Sequence, residues 1–133
     1  MMKAGTYYIG DLCYVMHDRW DEFCSLTCSG NRVLDGEFNL RDGTRFATFT
    51  TQYGDGTYQD ELGNEYPVDA GLIGCIRVED IAPAELANIE SGRVVEFVRD
   101  FSTFSSGGVI SFGTVSIDTD PEYTEEDELE EEY

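Results

Sequence analysis

Tyr66-Pro67-Val68-Asp69-Ala70-Gly71-Leu72-Ile73-Gly74-Cys75-Ile76 sets a polar turn between two apolar runs near the middle of a 133-residue chain. Its apolar members Val68, Leu72, Ile73, Cys75 and Ile76 are too few for a membrane span and suit two short buried strands, with Gly71 and Gly74 letting backbone pass closely. The stretch reads as the joint of the core. Asp69 is its anomaly, because an ionised carboxylate buried without partners costs several kcal/mol. The simplest placement is a turn that Asp69 fixes by accepting backbone N–H groups.

Around this joint, 41% hydrophobic and 13% aromatic content suit one compact domain with a real core. The charge is extreme, with 28 acidic residues against 8 basic ones, a formal net charge of −20. Phosphate contacts need Lys and Arg, so this balance argues strongly against direct binding of DNA, RNA or an anionic membrane. Residues 118–133 carry ten acidic residues and no basic one, and residues 1–117 still hold a net −10. The expected organisation is a β-rich body over 1–117 and an acidic tail over 118–133. The tail cannot bury enough apolar surface to offset its ordering entropy, so disorder is expected there.

Upstream of the joint, Thr6-Tyr7-Tyr8-Ile9 is a strand closed by Gly10-Asp11, with Cys13-Tyr14-Val15-Met16 as its continuation. Asp18 then caps a short helix running through Cys28, with Trp20, Phe23, Cys24 and Thr27 on one face as core packing. Glu37-Phe38-Asn39-Leu40 and Arg45-Phe46-Ala47-Thr48-Phe49-Thr50 alternate with period two around Asp42-Gly43, a type I′ hairpin signal. Phe46 and Phe49 fall on opposite faces, so that strand is contacted on both sides or bulged. The glycine and acidic turns around Thr57-Tyr58-Gln59-Asp60 and Glu65-Tyr66 lack the pattern of a calcium loop and read as hairpin punctuation.

Downstream, Pro83 opens a two-turn helix to Glu90 that covers an edge. Arg93 to Phe101 suits a central strand, Ser102 to Gly108 a loop, and Val109 to Ile117 one last strand with a bulge or bend at Gly113. Seven or eight short strands and two short helices give an α+β, mostly antiparallel β domain, built as a curled sheet or a partly open barrel.

Four cysteines, Cys13, Cys24, Cys28 and Cys75, follow no apolar leader, so free thiols in a reducing cytoplasm are expected. Cys24 and Cys28 are spaced as half of a zinc site without the other half, which favours buried small side chains; no metal or cofactor is expected. Familiar hydrolase, zinc-protease, P-loop and dinucleotide motifs are missing, and His17 is the lone histidine. The weak catalytic candidates are Asp11 and Asp69, two carboxylates that would raise one pKa if brought together. Two turn-fixing aspartates are the preferred reading, and an enzyme is the less favoured one.

Gly5-Thr6-Tyr7-Tyr8-Ile9-Gly10-Asp11-Leu12-Cys13-Tyr14-Val15, with Trp20 following, resembles the Y-I-G-D-P-C-Y-V opening of small uncharacterised bacteriophage proteins. Tyr66-Pro67-Val68-Asp69-Ala70-Gly71 is similar to a Y-x-V-D-x-G segment of the same proteins, and Leu12 stands where they usually carry proline. The resemblance covers about a sixth of the chain and implies a phage source acting in a bacterial host cytoplasm, without an activity.

Acidity in such a protein suggests imitation of a nucleic-acid backbone. The expected partner is a host defence protein with a basic groove, bound and inhibited through Asp55, Asp60, Glu61 and Glu65 and the tail residues Glu122, Glu125, Glu126, Asp127 and Glu128. Tyr53, Tyr58, Tyr66 and Tyr123 are the aromatic anchors. The alternative is a binder of a host signalling nucleotide, which requires several of the arginines to converge in one aromatic-lined cavity. A virion component is a further alternative.

Overall fold

The computed structural model describes residues 1–29 and 32–119. Twelve strands form: β1 Gly5–Gly10, β2 Cys28–Ser29, β3 Arg32–Val33, β4 Gly36–Asn39, β5 Arg45–Thr50, β6 Gly56–Asp60, β7 Glu65–Val68, β8 Leu72–Arg77, β9 Arg93–Phe97, β10 Thr103–Ser106, β11 Val109–Phe112 and β12 Val115–Asp118. Ten of them make two five-stranded antiparallel sheets, in the orders β4-β5-β8-β1-β9 and β10-β11-β12-β6-β7. The architecture is α+β and mostly antiparallel, with curled sheets and no closed barrel.

Side-chain alternation explains why the sheets face each other. Tyr7 and Ile9 of β1, Ala47 and Phe49 of β5, and Ile73 and Cys75 of β8 meet Tyr58, Tyr66, Val68, Ile110, Phe112, Val115 and Ile117 of the second sheet. The opposite face of the first sheet carries Tyr8, Phe46, Leu72 and Ile76, covered by Leu12, Val15, Met16 and Phe23. The first sheet is therefore a middle layer, buried on both faces, which is why its strands read as nearly continuous apolar runs. Phe46 and Phe49 do point to opposite faces and both find a core.

The covering layer is mostly 3-10 turns with one α-helix, α1 Trp20–Thr27. Cys13 and Tyr14 do not continue β1: Leu12–Tyr14 is a 3-10 turn capped by Asp11. Nor does Asp18 cap α1; it lies within a 3-10 turn, His17–Arg19, that leads directly into the helix. Trp20 stacks on Phe23 at 4.3 Å and Phe23 on Phe46 at 5.0 Å, so the aromatic face of α1 is core packing. Pro83–Ser91 is a 3-10 helix rather than two α-turns.

The joint connects the sheets: β7 belongs to the outer one, β8 is the centre of the middle one, and Asp69-Ala70-Gly71 crosses between them. Gly74 pairs with Gly10 and lies against Leu12 and the Ala47 carbonyl, leaving no room for a Cβ.

The turns account for the miscounted strands. Gly107 and Gly108 both have positive φ, as a type I′ hairpin requires, so β10 emerges from the expected Ser/Gly loop. Gly113 has φ 60° and opens a second two-residue turn between Phe112 and Val115, which splits the expected last strand in two. At Asp42-Gly43 only the glycine has positive φ, and Leu40 N donates to Thr44 O across a three-residue loop, so this hairpin is not type I′. β9 is an edge strand, with Val94 and Val98 exposed, rather than a central one.

Candidate functional site

Three features gather polar side chains: a clasp at the joint, a carboxylate face on the outer sheet and a basic cavity at one end of the middle sheet.

The clasp brings Asp11 and Asp69 together in a way the expected acid pair does not describe. Asp11 is fully buried. Its Oδ1 accepts from Cys13 N at 2.9 Å, and its Oδ2 accepts from Asp69 N at 2.7 Å and Ala70 N at 2.6 Å. Asp11 thus takes the turn-fixing role expected of Asp69, which contributes backbone N–H instead. The Asp69 side chain is outside the core and accepts the Tyr14 hydroxyl at 2.7 Å. A carboxylate whose oxygens hold three backbone N–H groups is committed to fixing the turn. Burial, with Asp11 and then Asp69 nearby, pushes the Cys13 thiol up to about 12, so it stays protonated and unreactive.

The proposed partner-binding carboxylates divide. Asp60 is withdrawn from the surface: its side chain has no exposed area and ties the sheets together through Arg93 of β9 at 3.0 Å. It also accepts from Tyr66 OH at 2.8 Å and from the amides of Leu62 and Asn64, both at 2.9 Å. Burial drives this carboxyl up, and these hydrogen bonds outweigh it, leaving Asp60 below its ordinary value. Tyr58 and Tyr66 are buried core residues as well, whereas Tyr53 is exposed. Side chains facing inward along β6 and β7 cannot meet a partner.

Glu61 and Glu65 remain on the surface, and the register adds a residue that was assigned to the tail. Val109 faces Asp118, Asp118 faces Gln59, and Gln59 faces Glu65, one row across β11, β12, β6 and β7. Glu61 joins this outer face by accepting Ser116 N at 3.0 Å. Glu65 and Asp118 are two strand spacings apart, about 10 Å. Asp55 stands apart from them, exposed in the turn before β6. The alternation Val115, Ile117 in and Ser116, Asp118 out was the signal for placing Asp118 on the sheet. Thr119 beyond it is buried, so the folded body reaches past residue 117. Glu122, Tyr123, Glu125, Glu126, Asp127 and Glu128 lie outside the described residues.

The basic cavity, about 260 Å³, is lined by Lys3, Tyr7, Asn39, Gly43, Arg45, Arg77 and Asp80. Three of the eight cations converge there, and the only ring in the wall, Tyr7, is 2% exposed and lies beneath the Arg77 guanidinium. No aromatic face is open for a base. Burial, followed by the neighbouring Glu79, raises the Asp80 carboxyl.

All four cysteines are free thiols, from the fully buried Cys75 to the exposed Cys28, with Cys24 within α1 close to Cys28 just past its end. No group of three metal-ligating side chains occurs among the described residues. Among them, too, no helix is long and apolar enough to cross a membrane.

The chain matches no protein-family model, and comparisons with curated proteins and with solved structures found no match.

Proposed function

We propose that this is an acidic anti-defence protein of phage origin that binds and inhibits a host nucleic-acid-binding protein by occupying its basic groove. The observation that carries the reading is the outer face of the second sheet, where Glu65 and Asp118 share one row and Glu61 lies on the same face against Ser116 N. The chain leaves this face into a segment, residues 120–133, with nine further acidic residues and no basic one. A rigid sheet presents carboxylates at set spacings, and the surrounding negative field attracts a basic groove over a distance of about a Debye length, roughly 8–10 Å. Association is then fast and weakens steeply with salt. The phage source rests on the two short motifs, which the Asp11 clasp holds together.

The test is capture of host proteins from a nuclease-treated lysate on the tagged protein, washed with graded salt and with competing nucleic acid. A nucleic-acid enzyme released by both washes, inhibited by the wild-type protein and not held by a Glu61→Gln, Glu65→Gln, Asp118→Asn variant supports the reading. Truncation after Thr119 apportions the effect between sheet and tail. Capture that is indifferent to salt and to the triple substitution overturns it.

A further inference from the structure

The basic cavity has features that the acidic face does not explain. Arg45 and Arg77 lie on neighbouring strands, and continuing the Phe46–Ile76 register by one residue sets them opposite each other. Like charges in directly opposed cross-strand positions destabilise a sheet. This chain has few cations, and it nevertheless puts two of them side by side with Lys3 at the rim.

Both guanidinium groups are held in place by neutral atoms. Arg77 donates through Nε to Tyr7 OH at 3.4 Å and through Nη2 to Ala4 O at 3.0 Å. Arg45 donates through Nε to Met1 O and through Nη1 to Asn39 Oδ1, each at 3.3 Å. Each also meets one carboxylate, Glu37 for Arg45 and Glu79 for Arg77. A guanidinium has five N–H groups, so each keeps two to offer. Glu79 is 73% exposed, and a strong anion displaces it from Arg77 at little cost.

We infer that this cavity is a binding site for a single phosphate-type oxyanion, carried on a small phosphomonoester. Two forks held side by side match the geometry of a tetrahedral oxyanion, and Lys3, whose exposed pairing with Asp100 at 3.6 Å an anion displaces at little cost, adds a point charge at the mouth. Asp80 in the wall repels a second phosphate, which restricts the ligand to one anionic group. The covered ring of Tyr7 gives a nucleobase no platform, so a nucleotide is held through its phosphate alone. This site is independent of the acidic face and stands whether or not that face binds a groove.

The experiment is titration of the full-length protein at low salt with inorganic phosphate, ribose 5-phosphate and adenosine 5′-monophosphate, read by NMR. Saturable shifts at the Gly43 amide and the Arg45 and Arg77 side chains are expected. Ribose 5-phosphate binding more tightly than phosphate identifies a phosphomonoester; equal affinity limits the site to the free ion and overturns that part. Arg45→Gln lowers affinity about tenfold or more, since a charged bidentate contact is lost. Lys3→Gln, on an exposed side chain, weakens binding without touching the fold, and Glu79→Gln strengthens it by releasing Arg77. Should Arg45→Gln fail to fold, these two variants carry the test. The inference falls if no saturable shift occurs below roughly 10 mM, where even millimolar binding registers, or if Lys3→Gln and Glu79→Gln leave affinity unchanged.

Discussion

Replacing Asp60 with alanine removes the acceptor on which five donor groups of four residues converge: Leu62 N, both nitrogens of Asn64, Tyr66 OH and Arg93 Nη1. Tyr66 is fully buried, and its O–H then has no acceptor while Arg93 still meets the oxygen, which costs about 1–3 kcal/mol. Breaking a buried ion pair costs about 3–5 kcal/mol when the surviving charge stays dry. The Arg93 side chain is 33% exposed and rehydrates, so its share falls to about 1 kcal/mol. The amides of Leu62 and Asn64 sit at an exposed turn and find water. The expected loss is about 2–4 kcal/mol, a large part of the roughly 5–15 kcal/mol of an ordinary domain. Urea unfolding followed by fluorescence of the single tryptophan, Trp20, measures it as a shift of about 1–2 M in midpoint. Asp60→Asn keeps the shape and an acceptor for the amides and is expected to cost less. A loss below about 1 kcal/mol for the alanine variant would refute the claim that this carboxylate ties the sheets.

The same carboxylate predicts a pH dependence. Burial and the stronger opposing hydrogen bonds hold Asp60 below its ordinary value, and Glu37 is lowered too, with burial opposed by the N-terminus, Thr103 and Arg45. The folded protein therefore binds fewer protons than the unfolded chain near pH 4, so stability is present above that range and is lost as pH falls through it; Asp60→Asn flattens the acid limb of a stability-against-pH curve. Gly74→Ala forces a methyl against the Ala47 carbonyl and Leu12 in the middle layer, and thermal unfolding should report a loss of about 1–3 kcal/mol. Asp11→Ala frees the amides of Asp69 and Ala70, and hydrogen exchange at those two positions should accelerate about tenfold or more before the sheets open, one such bond being worth about 1.5–3 kcal/mol. Thiol labelling at pH 8 should proceed at the exposed Cys28 first, while Cys13, pushed up to about 12 by burial and Asp11, and the buried Cys75 react only on unfolding.

Local chemistry made much of this architecture legible. The opposite phase of Phe46 and Phe49 in β5 announced contact on both faces or a bulge, the apolar run of β8 announced a buried strand, and the i, i+3, i+4 spacing of Trp20, Phe23 and Cys24 announced the packed face of α1. Glycine turns were harder to read, because Gly107-Gly108 and Gly113 mark a loop, a bulge or a hairpin according to the partner strand that each turn serves. That partner is distant in sequence.

The functional surfaces divide in the same way. Composition alone established a strongly acidic molecule with no basic surplus for nucleic acid, since charge adds without regard to fold. Which carboxylates face solvent depended on strand register. A shift of one residue exchanges the faces of a strand, and the register put Asp60 between the sheets and Asp118 beside Glu65. The exchange of roles between Asp11 and Asp69, and the meeting of Arg45 with Arg77, belong wholly to three dimensions. Each joins residues more than thirty positions apart, and only the crossing between sheets and the pairing of β5 with β8 bring them together.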